Sequence, residues 1–144
     1  MTTIDDFVDD FGLLGDWDQR YQYLIELGEQ LPEMPVALKI EENRVKACMS
    51  KVWVSAYTEP NDKDEIYYLG DSDSSIIKGV LALLIELASG NKPEKIIRID
   101  MDELFKRLEL DEHLSPNRHV GVYAIVELIK QQARLIAENN LKVA

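Results

Sequence analysis

The feature that most narrows the possible folds is an aliphatic stripe in the second half of the chain. Ile76, Ile77, Val80, Leu81, Leu84, Ile85 and Ala88 recur with a period near 3.6 and end at Gly90. A helix this apolar belongs at the centre of the core, with the other elements arranged around it. Before it, Ile4, Phe7, Val8 and Phe11 follow Thr2 and Thr3 at helical spacing, with Gly12 and Gly15 placed to stop a short amphipathic helix. Asp16 precedes Trp17, with Gln19 three residues on, in the manner of a capping box. Trp17, Tyr21, Leu24 and Ile25 then share one face of a second helix ending near Leu31-Pro32.

Residues 43–47 alternate polar and apolar, which predicts a strand. Residues 52–58 are rich in β-branched and aromatic side chains, with Val52, Val54 and Ala56 on one face and Trp53 and Tyr57 on the other. Turn chemistry in Pro60-Asn61-Asp62-Lys63-Asp64 brings 65–69 back as a third, antiparallel strand, leaving Cys48 in the short connection between the first two. Beyond the stripe, 101–108 predicts a short helix. Ser115 as N-cap and Pro116 at the first position open a long helix that turns Val122, Ile125, Val126, Ile129, Ala133 and Ile136 inward. The expected architecture is α+β: an antiparallel sheet of about three strands packed against helices, in one domain spanning 1–144.

A chain of 144 residues is long enough to bury roughly 70% of the surface its unfolded form exposes. No apolar run reaches the roughly 18 residues of a membrane span, so no membrane association is expected. The acidic start, Met1-Thr2-Thr3-Ile4-Asp5-Asp6, carries no basic or apolar leader, which makes the cytoplasm the expected compartment. Asp and Glu outnumber Lys and Arg by 27 to 16, a net charge of −11 that repels a phosphate backbone. Nucleic acid is therefore not an expected partner, whereas cationic or mixed-charge protein surfaces are. The single cysteine excludes an internal disulfide, a CxxC pair and a thiolate-rich metal site.

Several chemical-looking features have plainer explanations. Gly70-Asp71-Ser72-Asp73 lacks the lysine of a phosphate loop and reads as helix capping. Asp100, Asp102 and Glu103 favour a helix N-terminus and lack the loop that a bound cation would need. Trp17, Trp53, Tyr57 and Tyr67 fall at core spacings, and His113 and His119 have no ligand spacing, so neither a cofactor nor a metal is expected.

Cys48 has two readings. An isolated cysteine is commonly a small buried hydrophobe. Yet this one lies in a predicted connection with Arg44, Lys46 and Lys51 close in sequence, cations that would favour the reactive thiolate. With no histidine nearby in sequence, a hydrolase triad has no support, whereas accepting sulfur requires only an accessible thiolate and a donor.

The run Asn43-Arg44-Val45-Lys46-Ala47-Cys48-Met49-Ser50-Lys51-Val52-Trp53-Val54 resembles the cysteine motif of the SufE family of sulfur acceptors, approximately N-x-V-x-G-C-x-S-x-V-W. WDQRYQYLIELGEQLP from Trp17, GDSDSSIIKGVLA from Gly70 and HLSPNRHVG from His113 fit the same family in the same order. The resemblance implies an α+β fold shared with IscU-like iron-sulfur scaffolds. It implies that a pyridoxal-phosphate cysteine desulfurase of the SufS or CsdA type forms a persulfide whose terminal sulfur Cys48 attacks, and that Cys48 relays the sulfur to an iron-sulfur scaffold or another acceptor. It further implies that the chain stimulates the desulfurase, binds no pyridoxal phosphate itself, and shelters Cys48 in an apolar cavity from which it swings on partner binding. By position, Arg118 corresponds to an arginine near the loop or partner surface, and Asp71 and Asp73 to an acidic block beside the loop, open to partner contact or helix capping; Lys51 is a further candidate for partner binding or loop support. The departure is Ala47, where the family usually has glycine; a positive φ there would cost roughly 1 kcal/mol or somewhat more. Two other classes of function compete: a single-thiol redox sensor, and an adaptor in which Cys48 only packs.

Overall fold

Short polar side chains hold the free backbone N–H groups at most of the helix starts. The computed structural model describes residues 3–143. Thr3 opens α1 (Ile4–Leu13) in a reciprocal capping box with Asp6, while Thr2 lies outside the described residues. Asp16 caps α2 (Trp17–Glu29), and Ser74 caps α3 (Ser75–Ala88), the helix of the aliphatic stripe. After the short α4 (Pro93–Ile97), Asp100 caps α5 (Met101–Arg107). The single turn α6 (Leu110–His113) leads to α7 (Pro116–Val143), whose first turn is held by Ser115: its Oγ accepts from the Arg118 N–H at 3.4 Å.

The sheet is a hairpin of β1 (Val52–Glu59) and β2 (Asp62–Ser72), antiparallel, closed at Pro60-Asn61. Val52 and Val54 face inward from β1, and Ile66, Tyr68 and Gly70 from β2, all buried against the helices. From α3, the large side chains of Ile77, Val80, Leu81, Leu83, Leu84 and Ile85 join the same core together with Ala88. Among the described residues, α7 is bonded to the sheet at three points. The Tyr68 hydroxyl donates to the Ile129 carbonyl at 2.8 Å, Gln132 Nε2 donates to the Val54 carbonyl at 2.8 Å, and Asn140 Nδ2 donates to the Lys63 carbonyl at 2.9 Å.

α2 crosses α3 at a pair of glycines. A Cβ on Gly79 would lie 2.1 Å from the Leu24 carbonyl oxygen, and one on Gly28 would lie 2.8 Å from the Gly79 nitrogen. The two backbones meet there without side chains between them.

The α+β architecture is as expected, with two strands in place of about three. Residues 43–47 do not form a strand: Glu41–Asn43 is a 3-10 turn, and Arg44 makes one isolated bridge to Trp53. The Val45 N–H donates to the Val52 carbonyl at 2.9 Å, and the chain then turns away at Lys46-Ala47, so the pairing stops after one rung. β2 also starts earlier and ends later than its hydrophobic run. Gly70, Asp71 and Ser72 are therefore strand residues, and capping falls to Ser74. Of the aromatic residues expected in the core, Trp17 packs against Phe11 and Tyr21 and stacks on His113 at 3.8 Å. Trp53, Tyr57 and Tyr67 instead point to the outer face of the hairpin, where Tyr57 stays 40% exposed.

Candidate functional site

Cys48 sits in the loop between the Arg44 bridge and β1, and both ends of that loop are tied down. At one end Val45 is buried and bonded to Val52. At the other, the Lys51 N–H donates to Asp73 Oδ1 at 3.0 Å while the Asp73 N–H donates to the Lys51 carbonyl at 3.1 Å. Asp73 and Lys51 therefore support the loop mainly through the backbone of Lys51, whose side chain is exposed. Among the described residues the one non-glycine with positive φ is Glu109, so Ala47 adopts an ordinary backbone conformation and carries no left-handed strain.

The Cys48 side chain is partly buried. It lines a cleft of about 390 Å³ with Met49, Ser50, Ile77 from α3, and Ser115, Asn117 and Arg118 at the start of α7. Folding thus brings Arg118 to the same cleft as Cys48 although the two are far apart in sequence. On α7 the thiol lies against Gly121, where an added Cβ would come within 2.7 Å of Cys48 Sγ.

Burial pushes the Cys48 thiol above its ordinary pKa; the Ser50 N–H bonded to it favours the thiolate, and the Asp73 charge opposes it. This corrects the expectation that Arg44, Lys46 and Lys51 activate the sulfur. Burial outweighs the smaller effects of Ser50 and Asp73, and the Lys46 ammonium is 3.8 Å from Glu41. Met49, beside the thiol, is 82% exposed.

Asp71 plays a separate part. On the outer face of β2 it pairs with Lys39 at 2.7 Å and Lys78 at 3.2 Å, and its Oδ1 accepts from the Ser72 N–H at 2.8 Å. Partial burial raises its pKa, but the two lysines and the amide outweigh it, and the carboxyl is held below its usual value. A depressed carboxylate contributes stability that is complete above its unfolded pKa and disappears as pH falls through the folded one. Asp71→Asn is therefore expected to lose about 1 kcal/mol at pH 7. The deficit relative to wild type should shrink below about pH 4 in urea denaturation across a pH series.

Among the described residues, no three His, Cys, Asp or Glu side chains converge as a metal site. His119 packs edge-on against Phe105, and its Nε2 is buried without a hydrogen-bond partner. Sequence reasoning gives no site role to the cleft residues Met49, Ser50, Ile77, Ser115 and Asn117, nor to Gly121 against the thiol; it makes Ile77 core and Ser115 a helix cap. Met49 and Ser50 lie in the cysteine motif, Ile77 in GDSDSSIIKGVLA, and Ser115, Asn117 and Gly121 in HLSPNRHVG, so the motif blocks are the available signal.

Residues 5–133, which include every side chain of this cleft, match the family model SufE, described as the Fe-S metabolism associated domain. The chain belongs to the SufE family. It is 38% identical over 134 residues to an uncharacterized SufE-like protein of Rhizobium meliloti (strain 1021), covering 92% of this chain and 96% of that protein. A second uncharacterized SufE-like protein, from Rhizobium etli, is 36% identical over 138 residues, covering 95% of this chain and 93% of the other. The fold also matches the solution structure of a hypothetical protein from Thermus thermophilus, with a TM-score of 0.76 at 22% identity over 94% of this chain and 96% of that one. SufE membership places the protein in iron-sulfur metabolism and sulfur transfer. No helix among its described residues is long and apolar enough to cross a membrane.

Proposed function

We propose that this SufE protein accepts persulfide sulfur on Cys48 from a pyridoxal-phosphate cysteine desulfurase of the SufS or CsdA type, stimulates that enzyme, and relays the sulfur to an iron-sulfur scaffold or another acceptor. The observation that carries this reading is the position of the chain's one cysteine, within the SufE cysteine motif and in a solvent-reachable cleft shared with Arg118. In the transfer, the Cys48 thiolate attacks the terminal sulfur of the donor persulfide. A new S–S bond forms at Cys48, the donor's S–S bond breaks, and the donor cysteine leaves as a thiolate. No external oxidant is consumed. The reaction takes place in the cytoplasm, where thiols are kept reduced.

A thiol with a raised pKa is a poor nucleophile at rest, so partner docking has to move Cys48 outward or bring positive charge to it. Arg118 lies at the cleft and serves partner contact or thiolate stabilisation, while Asp73 and Lys51 keep the loop in register and Asp71 fixes the neighbouring strand end. The same raised pKa weighs against the redox-sensor reading, because sensor cysteines react through a readily formed thiolate. The expected result is that the cognate desulfurase, supplied with free cysteine, releases alanine several-fold faster when the chain is added. An unchanged rate with a desulfurase of demonstrated activity would count against the stimulatory role.

A further inference from the structure

We infer that Gly121 is a positioning residue: its missing side chain leaves the notch in α7 against which the Cys48 thiol is seated. A Cβ at position 121 would stand 2.7 Å from Cys48 Sγ, 3.3 Å from its Cβ and 3.5 Å from its Cα. The first distance is too short for any real contact, the second is tight, and the third is ordinary van der Waals packing. The conflict is therefore with the cysteine side chain and not with the loop backbone. All three of the nearest atoms belong to Cys48, so a methyl group at position 121 would meet this residue first.

The cost of that notch points to a purpose. Gly121 is buried inside a helix of 28 residues, where alanine is a markedly better helix former than glycine. Val120 on one side is 56% exposed and Val122 on the other is fully buried, so position 121 faces the seam between α7 and the cysteine loop. Seated there, the thiol is desolvated, which disfavours the thiolate. The groups around it are Asp73 from the segment between β2 and α3, Arg118 from α7, the neutral Ser115 and Asn117, and the apolar Ile77. Unseating the sulfur restores its contact with water and lowers the barrier to ionisation.

The meaning of the seat for sulfur transfer rests on the acceptor reading, but its existence is testable on the protein alone. Iodoacetamide should alkylate Gly121→Ala roughly five- to ten-fold faster than wild type at pH 7, with the rate profile moved to lower pH. A simple packing defect elsewhere would not move that profile. A folded Gly121→Ala with the wild-type rate and profile would overturn the inference.

A second measurement covers the case in which Gly121→Ala folds poorly. Cys48→Gly removes both the sulfur and the Cβ that conflict with position 121. In that background Gly121→Ala should raise Tm, as expected of alanine in a helix, whereas in the wild-type background the gain should vanish or reverse. Equal Tm changes in the two backgrounds would overturn the inference, because the conflict would then not be with Cys48. Sulfur transfer enters neither readout, so failure of the acceptor function and failure of the seat are separately visible.

Discussion

Gly79→Ala is expected to destabilise the protein by about 3 kcal/mol, lowering Tm by roughly 10 °C. The new methyl group would have to occupy space 2.1 Å from the Leu24 carbonyl oxygen, 2.5 Å from its carbonyl carbon and 3.0 Å from its Cβ. The first two are backbone atoms of α2, so no rotamer change relieves the conflict and the two helices must move apart. That movement would loosen contacts around Leu24, Ile77, Val80 and Leu83, all almost completely buried. Because alanine favours a helix over glycine, local propensity predicts a change of the opposite sign. Thermal and urea denaturation therefore distinguish tertiary crowding from propensity: a Gly79→Ala protein as stable as wild type would mean that α2 and α3 are not in this close approach.

Cys48→Ser is expected to abolish both sulfur uptake and desulfurase stimulation while leaving folding within about 0.5 kcal/mol of wild type. The thiol is only partly buried, in a loop, and serine keeps its shape, so little packing is lost. Its hydroxyl does not ionise near neutral pH and cannot carry a persulfide. Nothing else in the chain can take its place, because the sequence holds one cysteine. Desulfurase turnover with Cys48→Ser should equal that of the desulfurase alone. Stimulation retained at the wild-type level would favour the adaptor reading, in which surface contacts suffice.

Features determined by neighbours in sequence were legible before the structure. The α3 stripe, the Asp16 and Ser115 caps and the Pro116 helix start all depend on side chains within a turn of one another, and all appear where expected. The third strand failed for a physical reason. Alternation over 43–47 is satisfied equally by a single rung, in which Val45 is buried and Arg44 bridges to Trp53 before the chain turns. The outward placement of Trp53 and Tyr57 reflects a hairpin whose second face has no helix-sized apolar demand, which side-chain identity alone does not reveal.

The site was legible in part. Cys48 and Arg118 were named from motif blocks, and folding brings both to one cleft. The electrostatics were not legible: Arg44, Lys46 and Lys51 are close to Cys48 along the chain, but burial of the sulfur has the largest effect, raising its pKa, followed by the opposing Ser50 N–H and then the Asp73 charge, and loop geometry sets all three. Long-range approaches such as Gly79 to Leu24 and Gly121 to Cys48 are set by how helices cross, and a glycine within a helical pattern does not announce which neighbour it accommodates.

The most direct test of the account is intact-protein mass spectrometry under non-reducing conditions after incubation with the cognate desulfurase and free cysteine, with wild type and Cys48→Ser side by side. The account predicts that wild type alone gains one or more sulfur atoms and that reductant removes them. No gain on wild type from a desulfurase of demonstrated activity, or an equal gain on Cys48→Ser, would contradict it.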